Sequence, residues 1–323
     1  MNFRTVADLN ATIFAHLQEL PKDIDIIAGI PRSGFLAANI IALYLNLPLT
    51  DIDSLAEGRI YATGHTRCKY GWVRDIHEAR KILVVDDSTC SGSSLNEARE
   101  KLSGTPFCDK IIFMAVYASE QSRKFADIAF ETVEFPRMFE WNCFHRPDLG
   151  IACFDIDGVL CPDPTEEQND DGEKYTDFIR NVPARFVPTF EIGSLITSRL
   201  EKYRADTEYW LAKNGIRFRR LIMMNFATKE ERIRSGSHGR FKAEHYSKLK
   251  DADIFIESNA GQAEEIAQLS GKLVFCTDNH QVYPESSLRT FRNNISRKIR
   301  HRLSAMLPPK VKAFIKTHIF HRR

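Results

Sequence analysis

Two patterns of apolar residues alternate along the chain. One is a short unbroken run; the other repeats every three or four residues. Val6 to Leu20 has the second pattern and stops at Pro21, which predicts an amphipathic helix. Ile24 to Ile30 has the first and predicts a buried strand. The turn Pro31-Arg32-Ser33-Gly34 follows, then an apolar helix to Leu45. Lys81–Val85 and Lys110–Ala118 predict strands, with a helix over Ser94–Leu102 between them. Asp53–Asp75 has no period, contains Gly58, Gly64 and Gly71, and is expected to be a long mobile loop. Strands alternating with helices predict an α/β fold on a parallel sheet.

The alternation restarts at Ile151, after the linker-like segment FHRPDLG. Strands are expected at Ile151–Phe154, Ile192–Ile196, Arg220–Met224, Ile254–Ile256 and Leu273–Cys276, forming a second parallel sheet. The expected division is residues 1–148, residues 149–285 and a tail over 286–323. The halves share a fold class but no internal repeat.

Charge changes the picture only at the tail. The net charge is +2, yet Ser286–Arg323 holds 11 Lys and Arg and no acid. The other 34 basic residues face 43 acidic ones, so an acidic body carries a basic tail. Seven scattered cysteines without a C-x-x-C pair fit a reducing cytosol rather than a disulfide framework or zinc knuckle. The start MNFRTVADLN has no apolar signal region, and no apolar run approaches the roughly 20 residues of a membrane span.

Two segments carry the chemistry. In VVDDSTCSGSS, Asp86 and Asp87 stand at the carboxyl end of a strand, and Ser88, Thr89, Cys90, Ser91, Gly92, Ser93 and Ser94 form a small-residue loop before a helix. Such a loop offers N–H groups and hydroxyls to a phosphate, and the two acids can accept hydrogen bonds from a ribose diol. Arg32, Ser33 and Gly34 form a second turn suited to a pyrophosphate. This segment resembles the PRPP-binding motif of type I phosphoribosyltransferases (PRPP is 5-phosphoribosyl pyrophosphate). Val85, Asp86, Asp87, Ser91, Gly92 and Ser94 fill its positions, and GIPRSG resembles that family's pyrophosphate loop. The resemblance covers about residues 1–148. It implies transfer of a phosphoribosyl group, with Mg²⁺ on the leaving pyrophosphate. It also implies an acceptor read by a "hood", here PRMFEWNCFH, where Glu140, Trp141 and Asn142 are the acceptor candidates. A hydroxyl acceptor needs a base, for which Glu140, Asp75 and His77 are the candidates.

The second segment is CFDIDGVL. FDIDGV resembles motif I of the haloacid dehalogenase phosphatases. The resemblance implies Asp155 as nucleophile, Asp157 as general acid/base, Thr197 and Lys242 as the second and third motif residues, and Glu257 as the fourth. It implies Mg²⁺ held by Asp155, Asp157 and Glu257. Ser258 and Asn259 stand where the fourth motif often has a second acid. About 39 residues lie between Asp157 and Thr197 and about 44 between Thr197 and Lys242, too few for a large cap. The acidic stretch DPTEEQNDDGEKY reads as a solvated loop.

In the tail, Leu288, Phe291, Ile295, Ile299, Leu303 and Met306 recur at helical spacing among arginines and lysines, and Pro308-Pro309 divides them from a second such segment. This is the pattern of an interfacial amphipathic helix pair, with no recognisable nucleic-acid-binding fold. The combination resembles the phosphoribosyltransferase–phosphatase pairs that install ribofuranose in bacterial surface polysaccharides. It implies PRPP as donor, a glycan or lipid-linked glycan as acceptor, and a cytoplasmic protein at the inner membrane face. The competing readings are a nucleobase salvage enzyme fused to a nucleotidase, and a non-catalytic PRPP sensor or scaffold.

Overall fold

The computed structural model describes residues 1–61 and 73–283. The chain divides into two compact units, Met1–Cys143 and Phe144 onward. The basic tail lies outside the described residues, as does the middle of the expected loop. Among the described residues no helix is long and apolar enough to cross a membrane.

In the first unit the order is β1 Asn2–Arg4, α1 Val6–His16, β2 Ile24–Gly29, α2 Ser33–Leu45, β3 Leu49–Asp51, α3 Ile52–Ala56, β4 Lys81–Thr89, α4 Ser93–Leu102, β5 Ile111–Ala118, β6 Ile128–Thr132 and β7 Arg137–Phe139. Five strands make a sheet in the order β3-β2-β4-β5-β6, all parallel. β1 and β7 pair separately. Alternation along β4 divides the core: Leu83 and Val85 pack with α1 and α2, while Ile82 and Val84 pack with α4. A strand buried on both faces reads as a continuous apolar run, which is how Ile82–Val85 shows in the sequence. Thr5 starts α1 with a reciprocal capping box to Asp8. The expected loop from Asp53 is corrected at its start. Asp51 caps α3 by accepting the Ser54 N–H, so the chain is helical over Ile52–Ala56.

In the second unit the order is β8 Ala152–Phe154, α5 Glu173–Asn181, β9 Ser194–Leu200, α6 Arg204–Lys213, β10 Leu221–Met224, α7 Lys229–Ser235, α8 His238–Lys248, β11 Ile254–Glu257, α9 Ala260–Ser270, β12 Leu273–Cys276 and β13 Gln281–Tyr283. The sheet order is β10-β9-β8-β11-β12-β13. The sheet is parallel except for β13, a short antiparallel edge that the sequence pattern did not announce. The acidic stretch is largely exposed, as expected of a solvated loop, and is anchored at its end. Asp170 accepts the N–H groups of Gly172, Lys174 and Tyr175 at the start of α5. Asp171 accepts from Lys202, Tyr203 and the Lys229 N–H.

Candidate active sites

β4 extends past the expected strand end to Thr89, so Asp86 and Asp87 belong to the strand itself. They lie at the carboxyl edge of the sheet, where ligands of open α/β folds bind. Both are buried, at 7% and 3% exposure. Asp86 Oδ1 accepts the Asp87 N–H (2.9 Å), and the Trp141 indole N–H donates to Asp87 Oδ2 (2.8 Å). Among the described residues no cation pairs with either acid. Burial, then the charge of Asp87, raises the Asp86 carboxyl to about 8.

The two expected phosphate loops meet at these acids. A Cβ on Gly34 would lie 2.7 Å from the Val85 carbonyl oxygen and 2.9 Å from Asp86 Oδ1, so only glycine allows the approach. Arg32, exposed, precedes α2, and Ser33 begins it. After β4, Cys90 and Ser91 are exposed, and Gly92 takes φ 78. Its open face lies against the Phe125 ring, where a Cβ would come within 2.4 Å. Ser93 and Ser94 then open α4, whose first turn has no side-chain cap. The Ser93 N–H donates to the Ser91 hydroxyl (3.3 Å), and the turn as a whole is the end of the helix where an anion is favoured. Ser88 is half-buried opposite Tyr117 on β5, and Thr89 is buried with its hydroxyl unpartnered.

The hood segment joins this site through one residue of the expected three. Trp141 stacks on Phe139 with ring centroids 4.9 Å apart, Phe139 stacks on Tyr117 at 5.3 Å, and the indole reaches Asp87. Glu140 instead accepts the Val6 N–H at the start of α1 (2.8 Å). Asn142 is half-buried with an unpartnered Oδ1. Arg137, which the sequence reading passed over, donates from its buried guanidinium to the Thr89 carbonyl (2.6 Å). Asp75 and His77 are corrected as candidate bases. They lead into Lys81 at the start of β4, and Lys110, just before β5, donates to the His77 carbonyl (2.9 Å). That is the amino edge of the sheet, opposite Asp86 and Asp87.

In the second unit Asp155 follows β8 and Glu257 ends β11, on neighbouring strands. Each carboxylate accepts the N–H of the next residue, Ile156 and Ser258 respectively. The Lys242 ammonium, from α8, donates to Asp155 (2.5 Å), Glu257 (2.7 Å) and Gln262 (2.8 Å). Burial pushes the Asp155 carboxyl up against the pull of Lys242. Burial alone would lower Lys242, but Asp155 and Glu257 hold it above its usual range. Two carboxylates and one ammonium leave the clasp one negative charge in excess when all are ionised, and the Glu257 charge adds to the upward push of burial on Asp155. Thr197, fully buried on β9, accepts the Arg199 N–H (3.3 Å).

Asp157 does not join the clasp. Its carboxylate takes Arg199, whose Nη2 lies 2.6 Å from Oδ1 and whose Nε donates to Oδ2 (3.1 Å). Arg199 is fully buried and requires a counter-charge. The expected metal set Asp155, Asp157 and Glu257 is thus divided, with the Asp157 side chain on Arg199 and the other two on Lys242. Among the described residues no three carboxylate, imidazole or thiol groups converge to hold a metal ion. Hard oxygen donors suit Mg²⁺ in kind, but with Lys242 between two of them and Asp157 turned away, the arrangement does not fit it. Ser258 and Asn259 have structural uses instead: the Ser258 side chain fills the space against Gly158, and Asn259 caps α9. A surface pocket of about 610 Å³, lined by Thr176, Arg180, Lys202, Tyr203 and Asp206 among others, includes none of the clasp residues. Sequence reasoning missed Arg199, although it lies two residues beyond Thr197 and so on the same face of the strand. It also missed Gln262, one turn into the helix after Glu257.

Residues 3–146 match the phosphoribosyl transferase domain model. No curated protein matches the chain. Among solved structures the chain is similar to a purine phosphoribosyltransferase from Pyrococcus horikoshii Ot3, at 20% identity over 43% of this chain and 92% of that one, with a TM-score of 0.31. It is similar to a Helicobacter pylori xanthine-guanine-hypoxanthine phosphoribosyltransferase at 14% identity over 43% and 92%, with a TM-score of 0.33. A chain of a Pnkp1/Rnl/Hen1 complex is similar over 85% of this chain and 94% of that one, at 12% identity and a TM-score of 0.25. Likenesses this low bear on neither substrate nor partner. The matched sequence, with its parallel sheet, buried acid pair and glycine-bearing phosphate loop, makes residues 3–146 a phosphoribosyltransferase domain.

Proposed function

We propose that the chain is a two-step enzyme that builds a ribofuranosyl unit. The first unit transfers 5-phosphoribosyl from PRPP, carried with Mg²⁺ on its pyrophosphate, to an acceptor hydroxyl. The second unit removes the 5-phosphate. The acceptor is a surface-glycan intermediate, and the basic tail holds the enzyme at the membrane surface where such glycans reside.

What supports the reading is one observation: each parallel sheet ends its carboxyl edge in buried acids, Asp86 and Asp87 in one unit, Asp155 and Glu257 in the other. In the first step the ribose hydroxyls donate to Asp86 and Asp87. The 5-phosphate lies on the N–H groups at the start of α4, and the pyrophosphate lies on the Arg32–Gly34 turn. The bond from ribose C1 to the pyrophosphate oxygen breaks as the acceptor oxygen bonds to C1, and the acceptor proton leaves to a base. Catalysis by positioning and charge needs no covalent intermediate there.

In the second step an Asp155 oxygen bonds to phosphorus, and the bond from phosphorus to ribose O5 breaks with a proton supplied by Asp157, which exchanges its contact with Arg199 for the substrate on binding. Water then attacks the phosphoaspartate, Asp157 takes its proton, and phosphate leaves. Lys242 holds the reacting carboxylate in place throughout. The test is pyrophosphate release from PRPP by the purified full chain with glycan acceptors. Release that Asp87→Asn abolishes is expected. Release only with free nucleobases would replace the glycan reading with salvage.

A further inference from the structure

Three cationic side chains are buried in the described part of the second unit: Arg199, Arg232 and Lys242. Arg199 is neutralised by Asp157, and Lys242 by Asp155 and Glu257. Arg232, on α7 and 9% exposed, has no carboxylate partner among the described residues. Its Nη1 donates to the Ser198 carbonyl (2.8 Å), the Tyr175 hydroxyl lies beside it, and its Nε has no acceptor. A guanidinium withdrawn from water with a donor unmade costs several kcal/mol, so its placement calls for an anion from outside.

The surroundings say which anion. Ser198, which Arg232 grips, lies between Thr197 and Arg199. Tyr175 feels the charges of Asp157, Arg199 and Arg232 together. His238, at the start of α8, is lowered by burial and then by the charges of Arg232 and Lys242. Arg232 therefore holds the backbone between Thr197 and Arg199 and acts on the same side chains as Asp157 does at Tyr175 and Lys242 does at His238. The clasp around Lys242 has more negative than positive charge and cannot by itself attract a dianion.

We infer that Arg232 is the anion-recruiting residue of the second unit, binding the non-bridging oxygens of a phosphate monoester beside Asp155. The inference rests on reading that unit as a phosphatase. A bidentate guanidinium suits phosphate oxygens, and the free Nε is the donor it would use.

Inorganic phosphate, the reaction product, is the probe, added to the full chain and its Arg232→Gln and Arg232→Lys variants. Two quantities are read: the thermal midpoint of the second unit with and without phosphate, and phosphate inhibition of p-nitrophenyl phosphate hydrolysis. Arg232→Gln is expected to be no less stable than wild type without phosphate, since an unpaired buried charge is gone. It should lose the stabilisation by phosphate, and its inhibition constant should rise about tenfold or more. Arg232→Lys should fall between, keeping the charge without the fork. An unchanged inhibition constant in Arg232→Gln, with wild-type hydrolysis intact, overturns the inference alone. A wild-type chain that neither binds phosphate nor hydrolyses the ester overturns the phosphatase reading and this inference with it.

Discussion

The acids of the first unit and those of the second occupy corresponding places, at the carboxyl edge of a parallel sheet with the next backbone N–H donating to the side chain. They differ in what offsets their charge. Asp155 and Glu257 are held by Lys242 at 2.5 and 2.7 Å. Among the described residues Asp86 and Asp87 have only neutral donors, the Asp87 N–H and the Trp141 indole. The second site supplies its own cation and stands preassembled. The first leaves its charge to be met by what binds there, which suits a site for sugar hydroxyls and a metal-bearing pyrophosphate.

The largest expected loss of stability comes from breaking the built-in cation. Lys242→Met leaves two carboxylates facing each other in the interior and should destabilise the second unit by about 3–5 kcal/mol, read by chemical denaturation. Asp155→Asn leaves the neutral pair of Lys242 and Glu257 and should stay within about 1 kcal/mol of wild type. The opposite sign is expected at the first site. Folding raises Asp86 from 3.8 to about 8, so the folded chain binds more protons than the unfolded chain between those values. Stability from this group is therefore present below about 4 and lost as pH rises toward 8. Asp86→Asn should remove that slope and stabilise the first unit by several kcal/mol, on the order of 5, at pH 8, while ending PRPP binding. Calorimetry across pH reads the first effect, and a titration with PRPP the second.

A smaller effect sharpens the comparison. Trp141→Phe keeps the stack on Phe139 but removes the N–H that holds Asp87. The cost should be about 1 to 1.5 kcal/mol, and the KM for PRPP should rise while kcat changes little. A change confined to acceptor affinity would return Trp141 to the role of acceptor contact.

The contrast also marks what a sequence can carry. The strands around Asp86 and Asp155 were legible because continuous apolar runs ending in acids and small residues are local signals. The offsetting of those acids was not, because it depends on contacts across the fold. Trp141 reaches Asp87 over 54 positions and Lys242 reaches Asp155 over 87. Lys242 was legible only through a family resemblance, and nothing local to Trp141 signals its bond to Asp87. Arg232 belongs to a charged helix, KEERIRS, in which nothing distinguishes the one buried side chain. α3 was hidden for another reason. Its start depends on a single capping carboxylate, Asp51, and five residues are too few to show a period. The acidic stretch is exposed as its charge density suggests, but its anchoring was not legible, because Asp170 and Asp171 place their carboxylates on backbone N–H groups and on Lys202.

The central claim is that one chain adds a phosphoribosyl unit and then trims it. The most direct measurement gives PRPP, Mg²⁺ and membrane-glycan acceptors to wild-type and Asp155→Asn chains and compares product masses. The account predicts a phosphoribosyl adduct that accumulates with Asp155→Asn and a ribosyl adduct, one phosphate lighter, with wild type. The same product mass from both chains would contradict it.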